Sequence, residues 1–84
     1  MDDKKLISVR GLYPCEKSVL GYSYNEVLIE DGAYVTIHNK TDNTDTMVGP
    51  FKYIDDYHFS LNGITFHCDE YAEMLYRNNC FPTY

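Results

Sequence analysis

The stretch Tyr57–Cys68, YHFSLNGITFHC, is nearly its own mirror image about Asn62-Gly63. Asn-Gly between runs of alternating apolar and polar residues is the strongest short-range signal of a β-hairpin. A two-residue turn there fixes the pairing by counting. Leu61 faces Ile64, Ser60 faces Thr65, Phe59 faces Phe66, His58 faces His67 and Tyr57 faces Cys68. Directly opposite residues share a face of the sheet. The expected core face therefore carries Leu61, Ile64, Phe59, Phe66, Tyr57 and Cys68. The other face carries Ser60, Thr65, His58 and His67, with Asp56 and Asp69 at its open end.

This pairing makes His58 and His67 cross-strand neighbours, with Cβ atoms about 4.5–5.5 Å apart. Two imidazoles so placed suit a divalent metal, with Asp56 or Asp69 supplying oxygen and a water completing a tetrahedron. Cys68 is expected to stand apart from such a site, on the opposite face. The plainer reading is a pair of histidines on a half-exposed strand face. That face has no apolar cover, and no outer group is identifiable to fix the imidazole tautomers.

Downstream of the hairpin, CDEYAEMLYRNN reads as a helix starting at Cys68 or Asp69. Asp69 and Glu70 fall in its first turn and Arg77 in its last, each complementing the helix dipole. Ala72 and Leu75, with Tyr71 or Met74, form its apolar stripe. Asn78-Asn79 is the stop, and the tail CFPTY is either tucked in by Phe81 or loose.

Upstream, KLISVRG alternates as a first strand. YPCEKSVLGY is open to two readings, a short helix begun at Pro14 or an extended segment. NEVLIEDGAYVTIHN reads as a hairpin around Asp31-Gly32. A three-residue loop there pairs Ile29 with Ala33, Val27 with Val35 and Asn25 with Ile37, and places Gly32 in a G1 bulge. HNKTDNTDT reads as a surface loop, and its acids lack the spacing of a calcium loop. TMVGPFKYI reads as a strand interrupted at Gly49-Pro50, at a sheet edge or at a change of sheet. The fold class expected is α+β: an antiparallel meander of about four to six strands packed on one C-terminal helix.

The chain has 84 residues, which predicts a single domain spanning 1–84. A domain of that size buries roughly 60–65% of its unfolded surface and leaves little room for a deep cleft. With 13 acidic and 7 basic residues the net charge is −6. That balance argues against direct binding to nucleic acid or anionic lipid, which requires clustered Lys and Arg. No apolar run approaches the roughly 18 residues of a membrane span. The odd number of cysteines (Cys15, Cys68, Cys80), without a C-x-x-C pair, and the lack of a signal-peptide apolar run in MDDKKLISVR point to a reduced, cytoplasmic setting.

Catalytic signatures are absent. Cys15 or Cys80 with His38, His58 or His67 supplies thiol and base by composition, but no spacing joins them. The paired acids Glu30-Asp31, Asp55-Asp56 and Asp69-Glu70 are sequence neighbours, and neighbours on strands and turns diverge. No phosphate-binding glycine motif is present, and no cofactor is expected.

Tyrosine is the unusual feature: nine of them, with four Phe and no Trp. So small a core cannot bury nine hydroxyls with partners, so several rings must lie on the surface. Surface tyrosine among acids and Asn suits a protein contact. The expectation is a non-enzymatic, acidic protein-binding module that occupies a partner's surface. Its general look suggests a phage or mobile element. Its candidate contact residues are Glu26, Glu30, Asp31, Tyr34, Asp42, Asp45, Tyr53, Asp55 and Asp56, and a basic partner would complement them. A nucleic-acid-mimicking inhibitor of a host defence or DNA-processing protein is one alternative. A metal-binding protein using His58 and His67 is another. A homodimer formed through the edge near Gly49-Pro50 is a third.

Overall fold

The computed structural model describes residues 5–83. The chain is α+β, with eight antiparallel strands and one helix among the described residues. In order these are β1 (Leu6–Pro14), β2 (Tyr22–Glu30), β3 (Val35–Asn39), β4 (Thr44–Val48), β5 (Lys52–Asp55), β6 (His58–Leu61), β7 (Ile64–His67), α1 (Cys68–Arg77) and β8 (Cys80–Pro82). The strands exceed the expected four to six. They form three small sheets, β1-β2, β4-β3-β8 and β5-β6-β7, in place of one meander.

The Asn62-Gly63 hairpin forms in the expected register, with Leu61 opposite Ile64, Phe59 opposite Phe66 and His58 opposite His67. Asn62 (φ 52°) and Gly63 (φ 80°) both take the left-handed conformation that a two-residue hairpin turn demands. Its core face is only partly covered. Leu61, Phe59 and Cys68 are buried, but Ile64 and Tyr57 are exposed, because α1 starts at Cys68 and covers only part of the hairpin. Tyr71 of the helix packs edge-on against Phe59 and Phe66, each 5.2 Å between ring centroids, and 6.0 Å from Phe51. With Ile7, Val9, Ile29, Val35, Ile37 and Leu75 these rings make the core.

The expected β2–β3 hairpin does not form. β2 pairs along its whole length with β1, placing Ile7 opposite Ile29 and Val9 opposite Val27 on one face and Arg10 opposite Glu26 on the other. β3 could have paired only five residues of β2, whereas β1 matches nine and brings a base opposite an acid. The chain still turns at Asp31-Gly32: the Ala33 N–H donates to the Glu30 carbonyl (3.1 Å). The Gly32 N–H then donates to Phe51 and the Phe51 N–H to Ala33, which carries β3 into another sheet.

Pro14 closes β1 and opens no helix; Cys15–Gly21 is a turn into β2. HNKTDNTDT is no plain loop but the β3–β4 hairpin, with His38 opposite Asp45. Asn39 Oδ1 accepts the N–H groups of Thr41 (2.9 Å) and Asp42 (3.1 Å) and so builds its turn. The break at Gly49-Pro50 separates β4 from β5, each an edge strand of its own sheet. Phe81 is buried and holds the tail as β8 against β3; Tyr84 lies outside the described residues.

Candidate protein-binding site

Tyr53 lies on β5, where a bulge between Tyr53 and Asp55 twists the edge. Its backbone N–H donates to Asp31 Oδ1 (2.7 Å) and its hydroxyl to Asp56 Oδ1 (3.0 Å). One tyrosine thus ties the β2–β3 turn to the β5–β6 turn. The hydroxyl's bond to Asp56 pushes its pKa up. Asp55 accepts the Tyr57 N–H (2.9 Å) and the His58 Nδ1 (2.9 Å). These bonds, the backbone one first, hold the Asp55 carboxyl below the usual range. An open depression of about 510 Å³ is lined by Lys5, Glu30, Asp31 and Tyr53, with the Lys5 Nζ 5.8 Å from the centre of the Tyr53 ring. The structure therefore brings together five of the nine expected contact residues: Glu30, Asp31, Tyr53, Asp55 and Asp56.

The other four are dispersed. Glu26 sits on the outer face of β1-β2, where it accepts from the Ser8 hydroxyl and from Arg10 Nε (3.1 Å). Those partners, Ser8 first, hold its carboxyl below the usual range. Tyr34 is half exposed, and its ring lies over Gly49. Asp42 and Asp45 belong to the β3–β4 hairpin, and Asp45 is bonded to His38 Nδ1 (2.7 Å).

His58 and His67 are neighbours, as the hairpin register requires. Their rings lie 5.0 Å apart, edge to face. Each Nδ1 is already engaged: that of His58 with Asp55, and that of His67 as the N-cap acceptor for the Asp69 N–H (3.1 Å). Cys68 is closer than strand alternation implies. The helix begins at Cys68, so alternation stops there, and ligand atoms of His67, Cys68 and Asp69 fall within 4.8 Å of one another. That trio suits a cation poorly. Cys68 is buried, and Arg10 Nη1 donates to Asp69 Oδ1 (2.9 Å), placing a fixed positive charge where the ion would sit.

Arg10 is the residue the sequence reading left out. It links Glu26 on β2 to Asp69 on α1 and lies over the Tyr57 ring at 5.8 Å. Tyr24 joins through its hydroxyl to Asp69 (3.2 Å). The only sequence signal was one base in an apolar strand, and its partners follow from a register that the sequence reading did not find. Beside this cluster a groove of about 410 Å³ runs between β1-β2 and the helix, flanked by the exposed rings of Tyr24 and Tyr76. Tyr34 and Tyr57 are also exposed, while Tyr13 and Tyr71 are buried. Cys80 Sγ donates to the Asn78 carbonyl (3.4 Å), and no cysteine–histidine hydrogen bond forms among the described residues. No helix among them is long and apolar enough to cross a membrane.

No protein-family model, curated protein or solved structure matches this chain.

Proposed function

We propose that this chain is a non-enzymatic protein-binding module that docks a basic surface of its partner onto the acidic end built around Tyr53. The observation that carries this reading is the double tether of Tyr53, to Asp31 and to Asp56, which links acids of two separate turns through one ring that lines an open depression. A rigid ring with a polar rim is the kind of anchor that protein interfaces favour. Asp31, Asp55 and Asp56 give this end an acidic rim, which steers and orients a basic partner.

A sharper version is an inhibitor that imitates nucleic acid and fills a basic groove. The two versions separate by salt. Affinity capture with the whole chain, eluted in rising salt, tests both. The control is a triple variant, Glu30→Gln with Asp55→Asn and Asp56→Asn, which keeps acceptor oxygens and removes charge. A partner lost at moderate salt and not captured by the triple variant supports the acidic end, and a groove-bearing nucleic-acid enzyme among the captured proteins supports mimicry. A partner held equally by both chains at high salt sinks the proposal.

A further inference from the structure

β2 offers a bare edge. Among the described residues it pairs with β1 alone, and Tyr24 and Leu28 on it are about half exposed. The phase of the ladder shows which groups are open. The Cys15 N–H donates to the Gly21 carbonyl (2.8 Å), extending the β1-β2 register by one pair and marking odd-numbered residues as the bonded ones. In an antiparallel ladder bonded and unbonded pairs alternate. The even-numbered residues of β2, Tyr24, Glu26 and Leu28 among them, therefore turn their N–H and C=O groups away from β1. One bond confirms the phase: the Glu26 N–H is held by the side-chain oxygen of its neighbour Asn25 (3.0 Å). The edge has no proline, lysine or bulge, and its guards against strand addition are the acids Glu26 and Glu30.

We infer that the outer edge of β2 takes an added strand from a partner: an extended segment with a basic residue opposite Glu26 and apolar residues opposite Tyr24 and Leu28. The inference rests on reading the chain as a protein-binding module, but it uses a different surface from the acidic end. Charge selects the occupant. Opposite charges directly across a ladder stabilise and like charges destabilise. β2 itself, YSYNEVLIE, contains no base. Every same-face register of β2 against a second β2 sets Glu26 against an acid, Tyr22, Tyr24 or Leu28, so β2 of a second copy cannot supply the pairing. β1 shows what can: it places Arg10 opposite Glu26. Arg10 is shared between Glu26 and Asp69, so the trio retains one negative charge for an incoming base. Main-chain bonds give such an added strand its affinity and alternate side chains its specificity.

The test uses the whole chain and a synthetic peptide, Lys-Thr-Val-Thr-Arg-Thr-Val-Thr-Val, with a control in which Glu replaces Lys and Arg. Amide hydrogen exchange is followed residue by residue by NMR. The expected result is at least tenfold slower exchange at the Tyr24, Glu26 and Leu28 amides with the basic peptide, little change at the odd-numbered amides, and none with the control. Asn25→Ala frees the Glu26 N–H and is expected to tighten peptide binding severalfold. Protection that grows with protein concentration and needs no peptide would assign the edge to a second copy and overturn the inference. So would equal protection by the acidic control, or no protection at all. Peptide-induced shifts confined to Asp31 and Tyr53 would overturn it while leaving the acidic end in place. Because the two surfaces are read at different amides, the failure of one is distinguishable from the failure of the other.

Discussion

Gly49 and Gly63 both have positive φ, yet the same substitution to Ala meets different physics at each. At Gly63 (φ 80°) an added Cβ finds nothing within 4 Å. The cost is conformational alone, about 1–2 kcal/mol for an L-residue forced left-handed. At Gly49 (φ 154°) the Cβ would lie 2.8 Å from Tyr34 Cδ2 and 2.9 Å from the Ala33 carbonyl oxygen. Backbone strain of about 1–3 kcal/mol is then joined by overpacking of about 1–3 kcal/mol. A chain of this length has roughly 4–12 kcal/mol in total. Gly63→Ala should therefore lower the melting temperature by roughly 5–15 °C, and Gly49→Ala by clearly more. Thermal unfolding followed by circular dichroism makes the comparison. Tyr34→Ala removes the ring but leaves the Ala33 oxygen, so the double variant Gly49→Ala/Tyr34→Ala should recover part of the loss. Equal losses at the two glycines, or strict additivity of the double variant, would refute the packing of Tyr34 on Gly49.

Two further predictions concern pH. Arg10 lowers the Asp69 carboxyl below its usual range, and Ser8 with Arg10 lowers Glu26. A carboxyl depressed in the folded state adds stability above its unfolded range, near pH 4, and that share is lost as pH falls through the folded values. Melting temperature should thus fall on the acid side, and Arg10→Met should flatten that limb; an unchanged limb would refute the network. At the other extreme, burial pushes the Tyr71 hydroxyl up to about 12 and raises Tyr13, whose hydroxyl donates to the Val9 carbonyl (2.7 Å). A raised tyrosine adds stability that is complete below about pH 10 and lost as pH rises. Tyr71→Phe should soften the alkaline loss, and tyrosinate absorbance should show one late-titrating ring fewer.

The Asn62-Gly63 hairpin and the helix were legible because their signals are local. A turn that needs left-handed residues, and acids in a first helical turn, require no knowledge of the rest of the chain. The β2–β3 hairpin failed for the opposite reason. Asp31-Gly32 does mark a turn, but a turn does not say which strand lies alongside. That was decided by β1, sixteen residues of sequence away at the Arg10–Glu26 pair. β4 was seen only in part: residues 46–48, with the apolar Met47 and Val48, read as strand, whereas Thr44 and Asp45 are exposed and polar and gave no periodicity to read. For the candidate site, the acids and Tyr53 were visible by composition, but the tether of Tyr53 to Asp31 spans 22 positions and emerged only from the fold. Glu26 was visible as a charge and not as a partner of Arg10.

The two histidines have a reading that needs no metal, and it can be set against the metal reading in one experiment. His67 caps α1: its Nδ1 accepts the Asp69 N–H, one of the donors a helix start leaves unbonded. Losing a side-chain cap costs about 1 kcal/mol, and asparagine is among the best caps. If the cap is the role of His67, His67→Ala should lower the melting temperature by roughly 4–8 °C, His67→Asn should recover most of it, and zinc should leave all three chains unmoved. A metal pair predicts a different order. Zinc would raise the melting temperature of the parent chain, His58→Ala and His67→Asn would abolish that rise alike, and asparagine would rescue nothing. The engaged Nδ1 atoms favour the first pattern, since a bound metal would have to use the Nε2 atoms of two rings set edge to face. A zinc-dependent rise lost in both variants would overturn it and restore the histidine pair as the functional centre.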